Sequence, residues 1–317
     1  MPNIVLQTEG LTKRYGSLIA VQDLTLQVYG GEVFGFLGPN GAGKTTSINM
    51  LCGLLKPDAG RVLIYGVPVS SGDADVRARV GVCPQNIVLW NTLTCLEQLE
   101  FIGEMYGVPR QVACQRGEAL LEIIGLAEKR NRLARTLSGG MQRRLNLIMA
   151  LVHDPDILVL DEPEAGLDPQ SRVLVREYVK SLARKAGVVR PKTIILTTHN
   201  MDEAERMADR VAIIDHGKLL IVDTPEALKR TVGEGDVLEI EVNGASTERA
   251  VAAVTPIAPQ VSTTNHTLII RARGVVERLP AILDALRGAD AHPGEVRLRA
   301  NTLEDVFISL TGRKLRE

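Results

Sequence analysis

Gly38-Pro-Asn-Gly-Ala-Gly-Lys-Thr-Thr46 follows directly on the run Glu32-Val-Phe-Gly-Phe-Leu37. The run reads as a short buried strand. From Gly38 to Thr45 the spacing fits G-x-x-x-x-G-K-[ST], a phosphate-binding loop. Glycines at 38, 41 and 43 let the backbone curl so that N–H groups point inward and form a nest for an anion. A helix is expected to open near Lys44 and to run through Cys52 to Gly53. Its positive end faces the same nest. Lys44 supplies a mobile ammonium for the β- and γ-phosphates of ATP, and the Thr45 hydroxyl is placed to hold Mg2+. Pro39, Asn40, Ala42 and Thr46 complete the set of candidate ATP contacts in this loop.

Two further stretches belong with it. Asp156-Ile-Leu-Val-Leu160 is an apolar run that ends in Asp161-Glu162. Such a run suits a strand covered on both faces, and ligands sit at the C-terminal ends of strands in open α/β sheets. Asp161 is placed to hold Mg2+ through water. Glu162 points the other way and is placed to polarise an attacking water, general-base work worth about 10²–10⁴ in rate. Pro163 and Glu-Ala-Gly-Leu-Asp-Pro169 make a rigid turn that holds these acids. In Leu137-Ser-Gly-Gly-Met-Gln142, Ser138 alone would read as the N-cap of a helix over 141–152. Two adjacent glycines lower helix stability by about 1 kcal/mol each relative to Ala, so their use is close approach of backbone to something else. A helix start with a hydroxyl and bare amides is a second anion site.

Taken together, order and spacing over about residues 3–230 resemble the nucleotide-binding subunit of an ABC transporter. The resemblance implies an α/β fold: a P-loop NTPase ABC ATPase core with an antiparallel β subdomain and a helical subdomain. It implies that Tyr15 stacks on adenine and that Gln85 senses Mg2+ and the membrane partner. It further implies that Glu162 is the general base, that His199 contacts the γ-phosphate, and that Asp168 works across a dimer. In that family the turn Ser138-Gly139-Gly140 serves the nucleotide of the other subunit. One copy of each motif therefore implies two chains, closing head-to-tail on two ATP molecules. A homodimer is expected ahead of a heterodimer. Two departures stand out. Met141 occupies the place where the family most often has Gln, with Gln142 one residue later. Glu164 replaces a small or hydroxylated residue, and either tunes the local charge or faces water.

Composition sets bounds. A chain of 317 residues is long for one compact core, so two domains are expected. Hydrophobic residues at 45% and charged residues at 24% are ordinary for a globular protein. A net charge of −1 argues against nucleic-acid partners, which call for a basic stripe, and against loose adhesion to an acidic bilayer. No stretch approaches about eighteen consecutive apolar residues. Met1 to Glu9 has neither the basic nor the apolar region of a secretion signal. Cys52, Cys83, Cys95 and Cys114 lack C-x-x-C spacing and read as reduced, small apolar side chains in a cytosolic setting.

Residues 3 to about 30 alternate apolar and polar, as antiparallel strands do. From Thr94 to about Leu126 the pattern turns helical and Pro109 breaks it in two. By resemblance this is the helical subdomain, about residues 86–153, whose groove receives a short helix of the membrane partner. Trp90 belongs either to that docking surface or to the subdomain core. Strands at 157–160, 193–198 and 211–214 alternate with helices at about 170–186 and 202–207, which gives a mostly parallel, doubly wound sheet. The ATPase domain is thus placed at 1–230, with a linker at 231–235. Residues 231–317 form a small α+β domain with strands at 237–242, 267–271 and 295–298 and helices near 247–254, 276–286 and 303–310. Its ending, Asn301-Thr-Leu-Glu-Asp-Val-Phe-Ile-Ser-Leu-Thr-Gly312, resembles the tail of ABC-2 exporter ATPases of the drug-resistance and lipid-related branch.

The leading expectation is an ATPase subunit on the cytoplasmic side of the membrane, peripheral to it, that drives a separate permease exporting a drug, lipid or other small hydrophobic cargo. The alternative is a non-transport or regulatory ABC ATPase. Such a protein would act on ribosomes or DNA, or sense a ligand through the C-terminal domain.

Overall fold

A computed structural model describes residues 3–69, 76, 78–184, 191–232, 236–243, 247–258, 260–264, 266–272 and 274–312. Residues 1–2, 233–235 of the expected linker and 185–186 of the expected helix over 170–186 lie outside the described residues. The chain divides into two compact units between Thr224 and Pro225.

In the first unit, β1 (Ile4–Tyr15) and β2 (Leu18–Tyr29) form a long antiparallel hairpin. β4 (Ala59–Ile64) and β5 (Val67–Pro68) extend it into a sheet of order β2-β1-β4-β5. Alternation along the hairpin puts Val5, Leu11, Val21, Leu24 and Val28 into the core.

A second sheet has the order β10-β9-β3-β8-β7-β6. It comprises β3 (Val33–Leu37), β6 (Val80–Cys83), β7 (Ile157–Asp161), β8 (Thr193–Thr198), β9 (Arg210–Asp215) and β10 (Lys218–Asp223). Every residue of β3, β7 and β8 is buried, as expected for strands covered on both faces. β10 alone runs antiparallel, closing a hairpin with β9. The parallel register aligns Leu37 with Thr198, Asp161 with Thr197, and Cys83 with Leu160. Four chain segments therefore leave the sheet side by side at the C-terminal ends of its strands: the loop after β3, Pro84-Gln85 after β6, Glu162 after β7 and His199 after β8.

Helix α1 (Lys44–Leu51) follows the glycine loop. α2 (Cys95–Met105), α3 (Arg110–Ile123) and α4 (Gly139–Met149) make the helical subdomain. A capping box opens α2: Thr94 Oγ1 accepts from Glu97 N–H and the Glu97 carboxylate accepts from Thr94 N–H. Pro109 stands just before α3, where its missing N–H costs nothing. Leu99, Leu121, Ile124, Leu126, Leu145 and Ile148 fill the space between these helices. α5 (Pro169–Arg184) and α6 (Met201–Met207) complete the unit.

The second unit starts with α7 (Pro225–Thr231). Its sheet has the order β12-β13-β11-β14 and is antiparallel throughout. The strands are β11 (Asp236–Asn243), β12 (Gln260–Thr264), β13 (Thr267–Ala272) and β14 (His292–Arg299). Leu238 and Ile240 of β11 and Leu268 and Ile270 of β13 pack on α8 (Thr247–Val254) and α9 (Val275–Gly288). α10 (Leu303–Thr311) is anchored by Asp305, which accepts hydrogen bonds from Arg271, Arg299 and Thr302.

Candidate functional site

The glycine loop is wedged between two strands. A Cβ on Gly38 would lie 2.2 Å from the Ile214 carbonyl oxygen, and one on Gly43 (φ 99°) would lie 2.3 Å from that of Ala20. Only glycine fits either place. Lys44, buried beneath the loop, donates to the carbonyls of Gly38 at 2.8 Å and Pro39 at 3.0 Å. Burial lowers its pKa, and Glu162 and Asp161 oppose that shift.

Thr45 Oγ1 donates to Asp161 Oδ2 at 3.0 Å, and Thr197 Oγ1 donates to Asp161 Oδ1. This joins the phosphate loop to the carboxylate strand. Glu162 is in the left-handed region at φ 49°, with its N–H held by Thr197 Oγ1 at 3.0 Å. That turn aims its side chain away from Asp161 toward two partners. His199 Nδ1 lies 2.7 Å from Glu162 Oε1, and Gln85 Nε2 donates to Oε2 at 3.1 Å. Both carboxylate oxygens are thus fixed from neighbouring strands.

A cleft of about 560 Å³ opens above this arrangement. Tyr15, Asn40, Gly41, Gly43, Lys44, Thr45, Thr46, Gln85, Glu162 and His199 line it. Leu18, Ile19, Ala20 and His216 join them from β2 and the β9–β10 turn, which no motif marks. Gly38, Pro39 and Ala42 belong to the loop but not to the lining, and Asp161 reaches the cleft through Thr45.

Ser138, Gly139, Gly140 and Asp168 do not line this cleft. Ser138 and Gly139 are exposed at the start of α4, where Ser138 Oγ accepts from Met141 N–H at 3.3 Å. Asp168 Oδ1 accepts from the N–H groups of Gln170 at 3.1 Å and Ser171 at 3.0 Å. Hydrogen bonds from Ser171 hold its carboxyl below the usual range. Asp168 Oδ2 would lie 3.6 Å from a Cβ on Gly140, so the two features are neighbours. Within one chain the cleft and the Ser-Gly-Gly turn are separate surfaces. Met141 packs into the helical subdomain, and Gln142 braces the preceding turn by donating to the carbonyls of Ala134 and Leu137.

Glu164 does not face water. It is buried and takes a bidentate pair of hydrogen bonds from Arg176, at 2.8 and 2.7 Å. Arg143 was not marked by sequence reasoning. Its buried guanidinium donates to the carbonyls of Pro84 at 2.9 Å, Asp161 at 2.8 Å and Glu162 at 2.6 Å, and to that of Gln85. It ties the helical subdomain to the Pro84-Gln85 segment and to the backbone of Asp161 and Glu162 itself. The available signal was an arginine beside the apolar run Leu145 to Val152, since arginine is seldom buried unless its donors are satisfied.

Comparisons with known proteins identify the family. The family model described as "ABC transporter" matches residues 21–165. The chain is 41% identical to the Nod factor export ATP-binding protein I of Ralstonia nicotianae, over 99% of this chain and 95% of that protein. It is 36% identical to the linearmycin resistance ATP-binding protein LnrL of Bacillus subtilis, over 99% and 100%. A solved structure described as the ATP binding subunit of an ABC transporter superposes with a TM-score of 0.65 at 28% identity, covering 72% of this chain and 92% of that one. With an ATP cleft of this form and relatives matched along their whole length, the chain belongs to the ABC transporter family, as an ATP-binding ATPase subunit of the ABC-2 exporter type.

Proposed function

We propose that this chain hydrolyses ATP on the cytoplasmic face of a membrane and so drives export of a small hydrophobic cargo, such as a drug or lipid, through a separate permease. The observation that carries the reading is Glu162, held between Gln85 and His199 at the mouth of the phosphate-loop cleft. The names of the relatives, one for export and one for resistance to a drug, support the direction of transport.

In this reading the loop amides and Lys44 take the phosphates, whose oxygens replace the carbonyls of Gly38 and Pro39 as acceptors for the ammonium. Exposed Tyr15 offers a ring for adenine. Glu162 accepts the proton of the attacking water. His199 and Gln85 keep its carboxylate aimed, and His199 also faces the γ-phosphate. Thr45, Asp161 and Gln85 are hard oxygen donors that fit Mg2+, and the bond from Thr45 to Asp161 places two of them together. Bound there, Mg2+ supplies positive charge against the phosphate oxygens.

The separate position of Ser138, Gly139, Gly140 and Asp168 supports a head-to-tail homodimer in which each copy completes the other's site. A second groove of about 260 Å³, lined by Pro84, Val88, Trp90, Ile102 and Tyr106 among others, lies beside Gln85 and suits an apolar helix of the permease. Trp90 packs edge-on to Phe101 at 5.0 Å, with part of its surface open to this groove.

Replacing Glu162 by Gln tests the central role. ATP should still bind, turnover should fall by about a hundredfold or more, and a closed pair should accumulate in gel filtration. Undiminished turnover would exclude Glu162 as the base.

A further inference from the structure

Asp215-His-Gly-Lys218 closes the hairpin of β9 and β10. Asp215 pairs with Lys218, so His216 and Gly217 form a two-residue turn, with φ of 46° and 74°. A turn with both central residues at positive φ is served best by Asn-Gly, Asp-Gly or Gly-Gly. A histidine stands in the first place instead. Among the described non-glycine residues at positive φ, only His216 and Glu162 line the ATP cleft. The turn requires the backbone shape and has no need of the imidazole.

This turn is moored to the phosphate loop. The Gly217 N–H donates to the Ala42 carbonyl at 3.0 Å, and the Gly217 carbonyl accepts from the Gln22 N–H at 2.8 Å. A Cβ on Gly217 would lie 2.7 Å from the Ala20 carbonyl oxygen, the same atom that excludes a side chain at Gly43. His216 is therefore carried on a frame shared with the loop and with β2. Its side chain is 77% exposed, and Nε2 lies 3.8 Å from Asp215 Oδ2, near enough for attraction and too far for a hydrogen bond.

The sheet order fixes which part of a nucleotide lies beside it. β8 and β7 follow β3 on one side and carry His199 and Glu162, at the γ-phosphate end. β9 flanks β3 on the other side. With its phosphates in the loop, ATP extends its ribose and base away from Glu162, toward Tyr15, β2 and the β9–β10 turn. The phosphates are served by the loop amides, Lys44 and Thr45. At the nucleoside end Leu18, Ile19 and Ala20 are apolar, and Tyr15 offers a ring face. An imidazole can both donate and accept, which is what a pair of ribose hydroxyls asks for.

We propose that His216 hydrogen-bonds the ribose hydroxyls of the bound nucleotide and so selects ribonucleotides, an assignment that rests on the ATP-cleft reading above.

The test is calorimetric titration of the full chain with ADP and with 2′,3′-dideoxy-ADP. ADP keeps hydrolysis and ATP-driven pairing out of the measurement. The unsubstituted chain should prefer ADP by about 3- to 10-fold, the worth of one neutral hydrogen bond. His216→Gly, a residue this turn accepts more readily than histidine, should bring the two ligands within about twofold of each other by weakening ADP alone. Tripolyphosphate, which has no ribose, should bind the parent and the variant alike. No preference for ADP in the unsubstituted chain, or the same preference in both chains, would overturn the proposal. So would an equal loss for all three ligands in His216→Gly, which would place the effect in the loop. A parent chain that takes up neither nucleotide would overturn the ATP-cleft reading and this assignment together, whereas ADP binding without the preference overturns the assignment alone.

Discussion

Glu203, at the start of α6, is buried with Oε1 unpartnered and Oε2 taking a bond from Thr198 Oγ1. Burial, with Glu164 and Glu162 nearby, pushes its pKa up to about 7, against the pull of Thr198 and Arg176. The folded chain therefore keeps this proton up to about pH 7, whereas an unfolded glutamate loses it near about 4.3. The folded state loses stability as pH climbs through that window and holds level above it. Glu203→Gln should be more stable than the parent at pH 8 by on the order of 2 kcal/mol, and the gap should narrow as pH falls toward 5. Urea unfolding at the two pH values measures it, and an equal gap at both would contradict the account. Arg143→Lys keeps the charge but cannot reach four carbonyls from one planar fork. Turnover should drop by roughly tenfold or more with ATP affinity unchanged. A matching loss of affinity would show instead that Arg143 only supports the fold. Residues in fixed spacings, such as Lys44, Thr45 and the Asp161-Glu162 pair, were legible because their chemistry depends on neighbours in the chain. Arg143, Glu203 and the wall formed by Leu18 to Ala20 were not, because their partners lie far away in sequence.

At the scale of elements, α4 has two duties at its first turn. Ser138 caps the helix, and the same exposed hydroxyl is proposed to meet a neighbour's phosphate. Ser138→Ala should therefore cost about 1 kcal/mol in stability from the lost cap. It should also abolish the closed pair that Glu162→Gln accumulates with ATP. A mild melting shift with the closed pair intact would leave only the cap. Apolar periodicity exposed most elements: β3, β7 and β8 as uninterrupted runs, α2 and α3 split at Pro109. It hid β10, since Lys218-Leu-Leu-Ile-Val-Asp223 follows Gly217 closely and lacks alternation. It also hid α7, whose opening Pro225 reads as a turn when it is in fact a first-turn helix residue. β12 escaped because Gln260-Val-Ser-Thr-Thr264 has one apolar residue, and only its pairing with β13 makes it a strand.

At the scale of the whole molecule, no described helix is long and apolar enough to cross a membrane. The three buried cysteines are chemically quiet, with burial pushing Cys52 up to about 12 and Cys83 to about 11. The proposed division of labour between copies makes a direct prediction. A Lys44→Ala chain lacks a working cleft, and a Ser138→Ala chain lacks a working turn. Mixed in equal amounts, they should recover roughly a quarter of normal turnover, because half the pairs form between unlike chains and each such pair has one complete site. No recovery on mixing would argue against shared sites. Because the serine turn stands outside its own cleft, a solitary copy would hold its fuel without burning it. A freshly made subunit that has not yet met a mate would idle, and the energy of the cell would be spent only where assembly is complete.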